Sequence, residues 1–111
     1  MRVLLLAFLF TYILFANEEV TIQLKWKYQF QFAGFIMAKE KGFYKKEGLN
    51  VHLREIDNNI NVVNYVLNNP NTYGVGDTSL IKDILHKKPI VLLMPIYENS
   101  PFVLTSINRH K

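Results

Sequence analysis

Cysteine is absent from the 111 residues, which excludes disulfides, thiolate metal sites and a cysteine nucleophile, so stability has to come from an apolar core. HExxH, the GxxxxGK[ST] phosphate loop and the GxSxG elbow are absent too, which removes the signatures of zinc hydrolases, P-loop NTPases and serine hydrolases. His52, His86 and His110 have no partner at metal-ligand spacing and read as surface or helix-end residues. Charge of one sign is not concentrated: 13 bases face 9 acids. Lys25, Lys27, Lys39, Lys41, Lys45 and Lys46 read as a solvated face, and no basic helix or stacked-aromatic RNA motif accompanies them, so nucleic acid is not an expected partner. Tryptophan occurs once, at Trp26. No repeat, low-complexity tract or flexible linker breaks the chain.

What is present begins with an apparent leader. Arg2 is a positive start, Val3 to Phe15 is an apolar run shorter than the roughly 20 residues of a bilayer span, and Ala16 is a small residue suited to cleavage. Residues 1–16 are therefore expected to be a signal peptide and the protein to be exported, periplasmic in a cell with two membranes. Removing them takes one base, Arg2, from the composition and leaves 95 residues, 17–111, for one domain at most.

Val20, Ile22, Leu24 and Trp26 alternate with Thr21, Gln23, Lys25 and Lys27, the period of a strand with one buried face. From Phe32 to Ala38 the residues FAGFIMA are apolar almost all round, which predicts a short helix packed on more than one side. Gly42 stops it, with Lys39 and Lys41 at the negative end of its dipole. Phe43 to Glu47 adds a turn closed by Gly48, and Val51 to Ile56 is the second strand. Asp57, Asn58 and Asn59 offer caps for a helix whose apolar positions are Ile60, Val63, Val66 and Leu67, ended by Asn68, Asn69 and Pro70. Tyr73 to Val75 is a short third strand. Gly76 to Ser79 turn into a helix carrying Leu80, Ile81, Ile84 and Leu85 on one face, with Asp83 and Lys87 as an i, i+4 pair. Ile90 to Ile96, IVLLMPI, has the continuous apolar character of a parallel strand covered on both faces. Phe102 to Ile107 fits a fifth strand.

Alternating strands and helices predict an α/β fold, βαβαβαβ, around a mainly parallel sheet. Ligands of such sheets sit outside the carboxyl ends of the strands, so Trp26, Gly76 to Ser79 and Tyr97 to Ser100 are expected to converge on one edge. Each candidate has two readings. Trp26 is either core or a stacking platform for a flat ring. Asp77, Thr78 and Ser79 either cap the following helix or share its first amides with a polar ligand. Glu98 follows an apolar run into the expected cleft, either as a solvated loop charge or as a contact to a polar ligand.

The segments LKWKYQFQFAGFIMAKEKGFYKKEGLNV, YGVGDTSLI and KKPIVLLMPIYENSPFVL closely resemble the amino-terminal part of the NMT1/THI5-like substrate-binding proteins, from about Val20 to Leu104. GFYKKEGL is shared with solute-binding proteins for sulfonates, nitrate and taurine, whereas WKYQFQFAG and ENSP narrow the likeness to the pyrimidine-precursor branch. The resemblance implies part of the first lobe of a type II periplasmic-binding-protein fold, a small pyrimidine-like ligand held between two lobes, and delivery to an ABC permease in the membrane. Similar domains also serve as extracellular sensors ahead of kinase or cyclase modules. By that likeness Trp26 stacks on the pyrimidine, Gly76 lies in the binding turn, and Asp77, Thr78, Ser79 and Glu98 supply polar contacts. The family also holds enzymes that make the thiamine pyrimidine from pyridoxal phosphate and one of their own histidines. Here Gly76 and Leu80 occupy the positions of the cofactor lysine and donor histidine, so the expectation is a non-enzymatic binding protein without cofactor, metal or catalytic residue. Family chains are several-fold longer and cross to a second lobe, so this sequence is expected to be most of a first lobe, truncated, that either pairs with another chain or is a truncated gene product.

Overall fold

The computed structural model describes residues 17–57 and 60–99. Residues 1–16, Asn58, Asn59, Ser100 and the strand expected at Phe102 to Ile107 lie outside them. Three strands, β1 (Glu18–Gln23), β2 (Leu49–Arg54) and β3 (Thr72–Gly74), form a parallel sheet in the order β2-β1-β3. Helices α1 (Ala33–Glu40) and α2 (Phe43–Lys46), entered through a 3-10 turn at Phe30–Phe32, connect β1 to β2. Helix α3 (Val62–Asn68) connects β2 to β3, and α4 (Leu80–Leu85) follows β3. This is the α/β class expected, compatible with part of a periplasmic-binding-protein lobe.

Most connections form for the reasons visible in the sequence. Gly42 and Gly48 both adopt left-handed backbone, φ 70° and 73°, where any other L residue except Asn or Asp is strained. Gly48 then offers its carbonyl to the Glu18 amide at 2.8 Å, so the turn after α2 also starts the β1–β2 ladder. Val20 pairs with Val51, and Ile22 lies between Leu53 and Tyr73. Val20, Ile22, Leu24 and Val51 make a core with Phe32, against which Phe35, Ile36, Tyr44, Leu49, Leu53 and Val75 pack.

Several expectations are corrected. β1 ends at Gln23, and Gln23 is not on a solvent face: its side chain is fully buried, as is that of Leu24, and Ile22 is buried too. The cause is position, since the strand is central, α1 and α2 pack on β2 and the core cluster, and α3 packs on β1 and β3. Helix α1 buries no residue fully; Phe35 and Ile36 give one partly covered side and Met37 is exposed. β2 runs Leu49–Arg54, earlier than Val51 to Ile56, and β3 runs Thr72–Gly74, one residue before Tyr73 to Val75. The cap of α3 is Asn61, whose side-chain oxygen accepts the Asn64 amide at 2.9 Å, in place of the residues at 57–59. At its other end the Asn68 and Asn69 side-chain amides donate, each at 2.8 Å, to the Asn64 and Tyr65 carbonyls, folding back over the last turn before Pro70. Asp83 pairs with Lys88 at 2.7 Å and not with Lys87, because Lys87 turns to left-handed φ 57° after α4.

The largest correction concerns Ile90 to Ile96. No strand forms there, and Val91 to Met94 and Ile96 are exposed. A doubly covered parallel strand needs a neighbouring strand and helices above and below. Among the described residues β3 pairs with β1 alone, so the apolar run has neither.

Candidate functional site

At the carboxyl ends of all three strands the chain leaves a cavity of about 210 Å³. Lys25 reaches it from the bend after β1 and Ile56 from the end of β2. Ile60 to Val63 line it from the start of α3, Val75 to Asp77 from the turn after β3, and Ser79, Leu80 and Asp83 from α4. This is where the crevice of an open parallel sheet belongs. The backbone holds the two sides to the central strand: Leu24 donates to the Arg54 carbonyl at 2.8 Å, and Val75 donates to the Gln23 carbonyl at 2.9 Å. Gly76 keeps the turn tight, since a Cβ there would collide with the Leu80 side chain that lies over it.

Lys25 and Asp77 form an ion pair at 2.5 Å, joining the bend after β1 to the turn after β3. Asp77 also accepts the Ser79 amide through Oδ1 at 2.8 Å, so both its oxygens are engaged. The Lys25 ammonium beside it, with the Ser79 hydroxyl and amide, holds the Asp77 carboxyl well below its ordinary value of 3.8. A carboxyl depressed in the folded state contributes stability that is present above the unfolded value and lost as pH falls through the folded one. Asp77→Asn is therefore expected to flatten the fall of the unfolding midpoint below about pH 4, with a modest effect at neutral pH because the pair is half exposed. Thermal unfolding between pH 2 and 7 checks this; an unchanged acid limb contradicts it.

The residues singled out from sequence are divided by the geometry. Gly76, Asp77 and Ser79 line the cavity together. Thr78 does not; its carbonyl accepts the Ile81 amide at 3.2 Å in the first turn of α4. Trp26 does not either. It lies beyond the end of β1, 55% exposed, with its carbonyl accepting the Ile56 amide at 3.3 Å, so the reading of Trp26 as core is corrected. Tyr97 donates its hydroxyl to the Gln31 carbonyl at 3.2 Å, beside the 3-10 turn, and Glu98 next to it is exposed and does not line the cavity. The expected convergence of three segments is thus a convergence of Lys25 with Gly76, Asp77 and Ser79, while Ser100 lies outside the described residues. Sequence reasoning missed Lys25, Asn61 and Asp83. The strand-end rule that selected Trp26 applied equally to Lys25, one residue nearer the ladder.

Among the described residues no group of His, Cys, Asp and Glu is arranged to hold a metal. Nor is any helix there long and apolar enough to cross a membrane. Parallel strands, helical connections and a cavity at the strand ends are compatible with part of a periplasmic-binding-protein lobe. The family model described as NMT1/THI5 like matches residues 29–110, most of the chain. The chain belongs to that family, and membership supports a substrate-binding or thiamine-related role. No curated protein and no solved structure matches the chain.

Proposed function

We propose that this chain is the first-lobe portion of a solute-binding component for a neutral thiamine-pyrimidine precursor of the hydroxymethylpyrimidine kind, exported by its leader and serving an ABC permease. The observation that carries this reading is the cavity at the carboxyl ends of the sheet, in a member of the NMT1/THI5-like family, lined by Ile56, Val63, Val75 and Leu80 together with the polar Lys25, Asn61, Asp77, Ser79 and Asp83. Apolar side chains beside placed polar groups suit a small ring system. A non-enzymatic role is the reading for the Gly76 to Leu80 turn, where neither an amine nor an imidazole is present to carry pyridoxal-phosphate chemistry.

Titration calorimetry of the full chain with hydroxymethylpyrimidine tests this. Saturable binding is expected, and ligand at 100 times its Kd should stabilise the fold by about 2.7 kcal/mol. Absence of both heat and stabilisation rejects the ligand. A Schiff-base absorbance band on mixing with pyridoxal phosphate, mapping to one lysine, rejects the non-enzymatic reading.

A further inference from the structure

We infer that Lys25 is the ligand-contacting donor of the cavity, that Asp77 is the positioning residue that holds it there, and that the group recognised is a hydrogen-bond acceptor on a neutral, flat ring. The inference rests on the reading of the cavity as a ligand site, and it reverses the contact role expected of Asp77.

The argument is one of hydrogen-bond capacity. Asp77 uses Oδ2 for Lys25 and Oδ1 for the Ser79 amide, and Asn61 uses its side-chain oxygen for the Asn64 amide. Asp83 gives Oδ1 to Lys88. Each oxygen of the Asp77 carboxylate already accepts from a donor of the protein itself. The ammonium has three N–H groups and, among the described residues, one partner, Asp77. What the pair offers a ligand is the ammonium's two unused N–H groups, beside a carboxylate whose oxygens are both already engaged. Charge then narrows the class. Lys25 is balanced by Asp77 and Asp83 by Lys88, so no net positive charge is left to favour a full anion, and the Asp77 and Asp83 carboxylates in the lining repel one. A ring nitrogen or carbonyl oxygen fits; a phosphate does not. Asp77 makes the donor usable by fixing the ammonium at 2.5 Å across from the turn, which removes rotamer freedom that a ligand would otherwise have to order.

The test compares wild type, Lys25→Met and Asp77→Asn as full chains, by calorimetry against hydroxymethylpyrimidine, its phosphate monoester and a benzyl alcohol of the same outline without ring nitrogens. Lys25→Met is expected to weaken hydroxymethylpyrimidine about tenfold or more, the worth of a charge-assisted hydrogen bond. Asp77→Asn retains the Ser79 cap and is expected to cost less. The benzyl alcohol should bind wild type weakly and be indifferent to Lys25→Met, and the phosphate should bind no tighter than the neutral ring. Unfolding midpoints of both variants at neutral pH should fall by only a few degrees, since a partly exposed pair contributes little. If wild type binds hydroxymethylpyrimidine and Lys25→Met binds it equally well, the inference is overturned while the functional reading stands. A larger loss in Asp77→Asn than in Lys25→Met makes Asp77 the contact and overturns it too. If wild type prefers the phosphate, the neutral class is overturned. If wild type ignores hydroxymethylpyrimidine but binds other neutral nitrogen heterocycles in a Lys25-dependent way, the inference holds and the pyrimidine reading falls. Binding of no ring compound overturns both.

Discussion

Gln23→Glu is expected to unfold the chain at pH 7 and to spare most of it near pH 4. Gln23 sits at the end of the central strand with no exposed surface. Its amide nitrogen donates to the carbonyls of Leu24, Arg54 and Glu55 at 2.9, 3.3 and 3.2 Å. Its Oε1 has no partner among the described residues. The amide therefore closes the carboxyl end of β1 onto the segment leaving β2. A glutamate in its place sets an oxygen against three carbonyl oxygens, and only the protonated form has a hydrogen to donate. Burial and these acceptors both push its pKa up; a rise of about three units is worth about 4 kcal/mol. The sign follows from the raised folded value: stability is intact below the unfolded pKa of about 4.3 and is lost as pH rises through the folded pKa. That slope is opposite to the one expected from Asp77. Gln23→Met, which removes the donor without adding charge, should cost about 1–3 kcal/mol at every pH. Denaturant unfolding at pH 4 and pH 7 reads both, and a pH-independent loss in Gln23→Glu contradicts the assignment.

Phe32→Ala is expected to cost about 3–5 kcal/mol, enough to leave a chain with so small a core largely unfolded. Phe32 is 2% exposed and closes the cluster of Val20, Ile22, Leu24 and Val51 from the 3-10 turn. Phe30, two residues earlier in the same QFQF segment, is 92% exposed, and Phe30→Ala should stay within about 0.5 kcal/mol. Urea midpoints for the two variants provide the check. Equal losses would mean that the 3-10 turn does not present Phe32 and Phe30 to opposite environments.

The punctuation of the chain was legible because it depends on local chemistry. Gly42 and Gly48 need left-handed backbone wherever they sit, and Pro70 after two asparagines ends a helix in any context. Alternation at Val20, Ile22 and Leu24 located the central strand, and alternation of elements gave the parallel α/β class. Burial of Gln23 was not legible, since a period-2 pattern reports one face and α3 covers the other through residues about 40 positions away in sequence. The run Ile90 to Ile96 misled for a related reason: its composition states what covering it calls for, and a strand exists only where that covering is present. In the site, the sequence supplied the Gly76 to Ser79 turn through its capping chemistry. It gave Trp26 preference over Lys25 because an aromatic ring at a strand end carries more expected contact area, whereas which side chain enters the cavity depends on where the ladder stops, at Gln23.

The central claim is that the cavity at the strand ends takes a pyrimidine-type ring, and backbone amide NMR of the full chain during titration with hydroxymethylpyrimidine tests it most directly. Saturable shifts confined to Lys25, Ile56, Asn61 and Val75 to Leu80 are expected, with Glu19, Asn50 and His52 at the opposite ends of the strands unmoved. Shifts centred on those opposite ends, or no shifts up to millimolar ligand, a range in which a binding free energy would be only about 4 kcal/mol, would contradict it.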